Sequence, residues 1–66
     1  MNDRELLTVE EAGRRLSLGR SKVYELMNLG HLTSLSIGRS RRVPARAILE
    51  FIEAQLEQET EVESER

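Results

Sequence analysis

The segment from Gly38 to Pro44 contains Arg39, Arg41 and Arg42, three arginines within four residues. Each guanidinium keeps its charge near neutral pH and presents a planar set of N–H donors, so a cluster of arginines binds anions, and phosphates in particular. Gly38 favours a tight turn before the cluster, and Pro44 favours the start of a new element after it. The pattern predicts a thin basic loop that contacts a polyanion; the structural alternative is an ordinary solvated turn.

Positive charge is concentrated in one part of the chain. Residues 12–46 hold eight arginine and lysine side chains and one glutamate, which gives a net charge of +7. Residues 49–66 hold seven glutamates and one arginine, a net charge of −6, although the formal charge of the whole chain is −2. Because the local field rather than the total charge steers association, this asymmetry predicts a polyanionic partner for the basic body.

Two short helices joined by a tight turn precede the arginine cluster. Thr8 can cap the first helix, and Glu11, three residues later, can complete a capping box. We expect this helix to end near Ser17. Gly19 then serves as a turn residue before a second helix, which the apolar periodicity predicts at about 20–28.

The second helix has an apolar side and a polar side. A rotation of about 100° per residue places Val23, Leu26 and Met27 within about 60° of one another, which predicts a buried face. The opposite face is short and polar, with side chains that donate and accept hydrogen bonds. Its predicted members are Ser21, Tyr24, Glu25 and Asn28, with Lys22 on one flank.

The remainder of the chain predicts a hairpin and a third helix. Residues 33–37 alternate apolar and small polar side chains, which is typical of a half-buried strand, and residues 38–40 form the turn. Residues 41–43 form the returning strand, which is too short to stand without the helices. Apolar residues at helical spacing then predict a helix at about 45–57.

We therefore expect one mainly α-helical domain with a small β-hairpin, the winged helix-turn-helix architecture, over residues 1–57. Residues 58–66 are predicted to be an acidic, disordered tail because they are mostly acidic and small polar residues. The predicted core is apolar and comes from every element. Its members are Leu6, Val9, Leu16, Val23, Met27, Leu35, Ile37, Val43, Ile48 and Ile52.

Three motifs resemble those of the excisionase family of small DNA-binding domains. The first is Leu-Ser-Leu-Gly-Arg-Ser-Lys-Val-Tyr-Glu-Leu at 16–26, the second is Gly-His-Leu at 30–32, and the third is Ile-Gly-Arg-Ser-Arg-Arg-Val-Pro at 37–44. The resemblance covers about residues 6–53. Its spacing, with Ser-x-Val-Tyr in the second helix and Ile-Gly-Arg before Arg-Val-Pro, is fairly specific.

This resemblance implies a fold similar to the DNA-binding part of MerR regulators. In such proteins the second helix enters the major groove and the wing enters the minor groove. Many are recombination directionality factors, which bind and bend attachment-site DNA so that an integrase, a tyrosine or serine recombinase, excises a prophage or integrative element. Small domains of this kind are also expected to associate cooperatively on adjacent sites, since one module buries little surface on DNA.

The resemblance and the arginine cluster together give the candidate DNA-binding residues. The second-helix candidates match the family's groove-facing segment, and two of the wing arginines match the family's wing. The second-helix candidates are Arg20, Ser21, Lys22 and Tyr24, and the wing candidates are Arg39, Ser40, Arg41 and Arg42.

Two positions depart from the family pattern. Glu25 stands where the family often has a basic residue; it can accept a hydrogen bond from a cytosine amino group or pair with a neighbouring arginine. Arg41 stands where the family often has an aromatic residue. Because Arg41 shares strand parity with Val43, we expect it to be partly tucked against the body.

Other classes of function have less support. The chain has no cysteine and one histidine, His31, so we expect no metal site and no cofactor. No serine has a sequence spacing from His31 that indicates a nucleophile–base pair, and the sequence has no phosphate-binding glycine loop. We therefore expect that the protein is not an enzyme.

The absence of an apolar run of signal-peptide or membrane-span length predicts a soluble, cytoplasmic, nucleoid-associated protein without membrane partners. Two alternatives remain: a small winged-helix transcriptional regulator, and a protein-interaction module that binds an acidic partner. The short length, which leaves no room for a sensing domain, favours the excisionase.

Overall fold

Three helices and a small antiparallel sheet follow one another in residues 4–64, the part of the chain that the computed structural model describes, with side chains described to residue 59. Helix α1 contacts α2, α3 and strand β3, so it is the central element. The elements are β1 (Leu6–Leu7), α1 (Val9–Leu16), α2 (Arg20–Asn28), β2 (Leu35–Ile37), β3 (Ser40–Pro44) and α3 (Ala45–Ser64). This arrangement confirms the predicted mainly helical fold with a hairpin.

Helix α1 begins and ends where the sequence predicts. The Glu11 backbone N–H donates to Thr8 Oγ1 over 3.1 Å, and the Thr8 backbone N–H donates to Glu11 Oε1 over 2.9 Å, which completes the capping box. At the other end, Ser17 takes a left-handed conformation with φ of 57°. The Leu18 backbone N–H then donates to the Gly13 carbonyl over 2.8 Å, so the chain turns directly from α1 toward α2.

The helix-turn-helix contact is close at Gly13. An added Cβ there would lie 2.7 Å from the Leu18 carbonyl oxygen and 3.4 Å from Val23 Cγ2. Since the first distance is below any normal carbon–oxygen contact, a side chain at this position would force the turn away from α1. Glycine at position 13 therefore sets how closely α2 packs on α1.

The sheet has three strands, in the order β1-β3-β2, where the sequence predicted a two-stranded hairpin. Strand β1 pairs with β3 through Leu6 opposite Pro44 and Leu7 opposite Val43. A strand of two residues is too short to show an alternating pattern of apolar and polar side chains, so the sequence does not predict it. Strand β1 forms because β3 runs beside it. Side chains alternate across the sheet, and Leu7 rather than Leu6 faces the core with Val43, which corrects the prediction that Leu6 is buried.

The wing, formed by β2 and β3, has a shorter first strand and a longer second strand than predicted, and it is more exposed. Strand β2 begins at Leu35 instead of residue 33, and Ser40 belongs to β3, so the loop consists of residues 38–39. Leu35 pairs with Arg42 on the sheet face opposite the core, and Ile37 pairs with Ser40 on the same face. Leu35 and Ile37 are consequently solvent-exposed, and the prediction that they belong to the core is wrong.

Helix α3 is longer than predicted and extends to Ser64. Glutamate and glutamine are good helix formers, and elongating an existing helix is easier than nucleating one, so the acidic segment continues the helix anchored at Ala45. Of the predicted disordered tail, residues 58–64 are helical, and residues 65–66 lie outside the described part. No helix in the described range has both the length and the hydrophobicity of a membrane span.

The core lies where α1, α2, the sheet and the start of α3 meet. Ile52 is exposed, so its predicted core position is wrong, and Leu16 is half-buried against the core. Leu32, in the loop after α2, is nearly inaccessible although no periodicity marks it. The buried residues are Leu7, Val9, Ala12, Val23, Met27, Leu32, Val43, Ala45, Ala47 and Ile48.

Candidate nucleic-acid interface

The two helix N-termini of the helix-turn-helix differ in how their amide groups are satisfied. Thr8 and Glu11 close the N-terminus of α1, whereas Gly19 at the start of α2 makes no side-chain cap, and the first turn of α2 contains no acidic residue. Exposed amides at a helix N-terminus carry partial positive charge and donate readily to phosphate oxygens. Arg20 and Lys22 add full charges at the same end, so α2 is the helix that is prepared for an anionic partner.

The predicted α2 residues lie on one accessible side of that helix. Arg20, Ser21 and Lys22 are exposed and Tyr24 is half-buried, whereas Val23 and Met27 are in the core and Leu26 packs against it. The predicted amphipathic division of α2 is therefore confirmed. Polar side chains of this kind reach the base edges when a helix lies in a major groove.

Arg20 is held in place by two neighbours. Its guanidinium carbon lies 5.8 Å from the centre of the Tyr24 ring, within cation–π distance. Its Nη1 lies 3.4 Å from Glu10 Oε2 in α1. The Tyr24 side chain and, secondarily, the Glu10 carboxylate raise the pKa of Arg20 above its ordinary value.

Lys22 pairs with Glu25 on the same helix face, with 3.5 Å between Nζ and Oε2. Both side chains are exposed, so the pair contributes little to stability. A phosphate can therefore replace Glu25 as the partner of Lys22 at small cost. Of the two roles predicted for Glu25, an ion pair with a neighbour is seen, but the partner is Lys22 and not the predicted arginine.

The wing presents its basic residues in two different ways. Gly38 has a φ of 61°, which a glycine at the first position of a two-residue hairpin loop readily adopts, so the loop is thin. Arg39 and Ser40 are exposed at this tip. A thin tip that carries a guanidinium fits a narrow minor groove, where the negative potential is strongest.

Arg41 and Arg42 are half-buried and their side chains are engaged. Arg41 Nη2 donates to Ser34 Oγ over 2.6 Å, and Arg41 Nε is buried without a hydrogen-bond acceptor in the described structure. Arg42 Nη1 donates to the Arg41 carbonyl over 3.1 Å. The expected tucked position of Arg41 is therefore seen, while Arg42 lies on the outer face of the sheet beside Leu35.

Three contributors to this surface were not predicted from the sequence. Glu10 meets Arg20 only because α1 and α2 cross, and Ser34 meets Arg41 only because the wing folds back. Neither pair has a spacing that a sequence pattern would reveal. Leu29, exposed directly after α2, extends the accessible side of that helix. Its position next to the predicted end of α2 at residue 28 could have identified it from the sequence.

No group of metal-ligating side chains occurs within the described residues. His31 is exposed in the loop after α2. The accessible chemistry of the described α2 and wing is thus that of guanidinium, ammonium, hydroxyl and helix N-terminal amide groups, which bind phosphate and hydrogen-bond to base edges.

Comparison with known proteins identifies the same architecture. A family profile described as a helix-turn-helix domain matches residues 6–56. An excisionase of Streptomyces ambofaciens is 52% identical over 52 residues, which cover 79% of this chain and 84% of that protein. A probable excisionase of Saccharopolyspora erythraea is 51% identical over 49 residues, 74% of this chain and 50% of that protein.

The chain spans half the length of the second of these relatives and most of the first. No solved structure matches it significantly. The match with the Streptomyces excisionase and the helix-turn-helix profile both include α2 and the wing, where Arg20, Lys22 and Arg39 are exposed. The chain therefore belongs to the excisionase family of small helix-turn-helix DNA-binding proteins.

Proposed function

We propose that this protein binds attachment-site DNA through α2 and the wing, bends it, and thereby directs an integrase toward excision of a prophage or integrative element. The observation that carries the proposal is the 52% identity with an excisionase over 84% of that protein's length. The basic, uncapped N-terminus of α2 and the thin Arg39 tip supply the chemistry that DNA binding needs. The role requires no catalytic group, because the integrase breaks and rejoins the strands.

In the proposed complex, α2 lies in the major groove. Ser21 and Lys22 are the side chains that read base edges, since both are exposed and flexible enough to reach them. Arg20 and Tyr24 contact the backbone, because they are already held together as a unit against α1. The backbone N–H groups at the start of α2 donate hydrogen bonds to a phosphate.

The wing tip contacts the adjacent minor groove through Arg39 and Ser40. Arg42 contacts the backbone from the outer face of the sheet, and Arg41 supports the wing from behind while its charge adds to the local field. Contacts at two separate sites, α2 and the wing tip, favour bending, because a bent duplex lets both be made at once. The protein acts in this proposal on the nucleoid, in the cytoplasm.

A mobility shift with tiled duplexes, including the DNA that flanks the gene, tests the proposal at two salt concentrations. We expect discrete shifted bands on a duplex that contains attachment-site repeats, resistant to unrelated competitor DNA. Arg39→Ala should weaken binding to every duplex, and Lys22→Ala should also change which duplex is preferred. Arg46→Ala, which removes a similar charge from the start of α3, is the matched control and should have a smaller effect.

Excision itself is tested with purified integrase and a plasmid that carries both attachment sites. The protein should raise the yield of excised circle, and Arg39→Ala should abolish that gain at concentrations that saturate the control. Bands restricted to a promoter, with no effect on excision, would favour a small transcriptional regulator. The lack of a shift on any duplex at low salt would overturn DNA binding and favour a module for an acidic protein.

A further inference from the structure

Helix α3 carries an apolar stripe on its solvent side. Leu49, Ile52 and Leu56 are 41%, 39% and 61% exposed. Their spacing of three and four residues places them within about 60° of one another around the helix. Phe51 lies about 100–160° from these residues around the helix, and Gln55 lies beside Ile52; both line the cleft between α3 and the helix-turn-helix. The stripe therefore borders this cleft on the more exposed side of α3.

The anchoring of α3 on the core comes mainly from side chains outside the stripe. The start of α3 is anchored by Ala45, Ala47 and Ile48, which are all buried, and by Phe51, which packs against the core. Three large apolar side chains in a row over two helical turns form a patch of the kind that marks an interaction site, whereas isolated exposed leucines are ordinary.

Acidic residues border the stripe on both sides. Between residues 49 and 59 the chain has four glutamates and no basic side chain. On a helical projection, Glu53 and Glu57 follow one edge of the stripe, and Glu59 lies beyond the other. Arg46, one turn earlier, is already paired with Glu50, with 3.5 Å between Nε and Oε2. We call the stripe with its glutamate borders the acidic α3 face.

We propose that the acidic α3 face docks a basic amphipathic helix of a partner protein. An apolar stripe accepts the apolar residues of such a helix at positions i, i+3 and i+7. The glutamates then meet lysine or arginine side chains that flank those residues, which favours association with the correct partner and disfavours acidic ones. The same borders oppose pairing of two acidic α3 faces, because glutamates would meet glutamates.

The proposal uses none of the residues assigned to DNA, so it stands or falls separately from the proposed function. The probe is a synthetic helical peptide with leucines at heptad positions a and d and lysines beside them. A matched peptide has glutamates in place of the lysines. Binding of the labelled peptide to the full chain is measured by fluorescence anisotropy, and the contacted residues are identified from amide chemical shifts.

We expect the lysine peptide to bind and to shift the amide signals of residues 49–59. Ile52→Ser should weaken binding about tenfold, as expected for a side chain at an interface centre. The double charge reversal Glu53→Lys with Glu57→Lys should weaken it further. Leu29→Ser, which removes an exposed leucine at the end of α2, is the matched control and should leave peptide binding unchanged. Circular dichroism confirms that each variant is folded.

Three results would overturn the proposal. Equal affinity for the two peptides would show that the glutamates do not contribute to recognition. An unchanged affinity of Ile52→Ser, or shifts confined to α2 and the wing, would place binding elsewhere. Sedimentation showing a dimer that Ile52→Ser dissociates would make this face a contact between copies. Mobility shifts of Ile52→Ser on DNA are measured in parallel and should match the parent chain, which separates this outcome from failure of DNA binding.

Discussion

Two arginines of the wing should differ in role: we expect Arg39 to bind DNA and Arg41 to hold the wing in place, and alanine substitutions separate the two roles. Arg41 donates from Nη2 to Ser34 Oγ over 2.6 Å and is half-buried. A hydrogen bond that involves a charged group contributes about 1.5–3 kcal/mol. In a domain of this size, 1 kcal/mol shifts Tm by about 4–8 °C, so Arg41→Ala should lower Tm by roughly 10 °C.

Arg39→Ala should instead change DNA binding and leave the stability of the fold unchanged. Arg39 is exposed at the tip, and its loss should leave Tm unchanged. If Arg39 neutralises one phosphate, the slope of log affinity against log salt concentration should become shallower by about 0.9. Ser34→Ala is the control for Arg41, because it removes the acceptor without changing any charge; it should lower Tm and leave the salt slope unchanged.

Thermal melts by circular dichroism and DNA-binding anisotropy at several salt concentrations provide the two readouts. The reasoning is refuted if Arg41→Ala melts like the parent chain and reduces the salt slope as much as Arg39→Ala does. In that case the Arg41 guanidinium would leave Ser34 and bind a phosphate when DNA is present.

Three further predictions follow from individual contacts. Gly13→Val should destabilise the fold by roughly 2 kcal/mol, since an added Cβ lies 2.7 Å from the Leu18 carbonyl oxygen; a melt at or above the parent Tm would contradict this. The Glu11 carboxylate accepts from the Thr8 backbone N–H, which lowers the pKa of Glu11 below its ordinary value of 4.5. The stabilisation by the ionised Glu11 carboxylate is therefore present above pH 4.5 and lost as the pH falls through the lowered pKa. In Glu11→Gln, Tm should vary less with pH over that acid range. Glu25→Gln should release its lysine partner and remove a negative charge from the DNA-facing side, so affinity for all duplexes should rise; unchanged affinity at low salt would count against α2 as the groove helix.

Local sequence signals were sufficient for the helix-turn-helix. Thr8 and Glu11 fix the start of α1 through bonds within one turn, and Gly30, with a φ of 81°, lies just after the end of α2. The amphipathic period of α2 also gave its buried side correctly, because helix rotation relates neighbouring positions independently of the rest of the fold. Once α2 and the hairpin turn are located in the sequence, the basic residues that they carry are known as well.

Long-range pairing was beyond these signals. Strand β1 exists because β3 returns beside it, and that pairing buries Leu7 and exposes Leu6, a distinction of one residue. Alternation in the hairpin indicated that one face of β2 is apolar, and it correctly grouped Leu35 with Ile37. It could not indicate that this face points away from the helices.

The chain's own residue pattern thus specifies which segments are helical, where they start, and where positive charge accumulates, since these depend on neighbours within a turn. Tertiary structure decides which of the arginines remains available. Arg39 and Arg41 are two residues apart and chemically identical, but only Arg41 meets Ser34, because Arg39 lies in the two-residue loop at the tip whereas Arg41 lies within β3, beside the segment that leads into β2. The same applies to α3, whose apolar residues look alike in sequence: packing on the body takes Ile48 into the core and leaves Leu49 and Ile52 exposed.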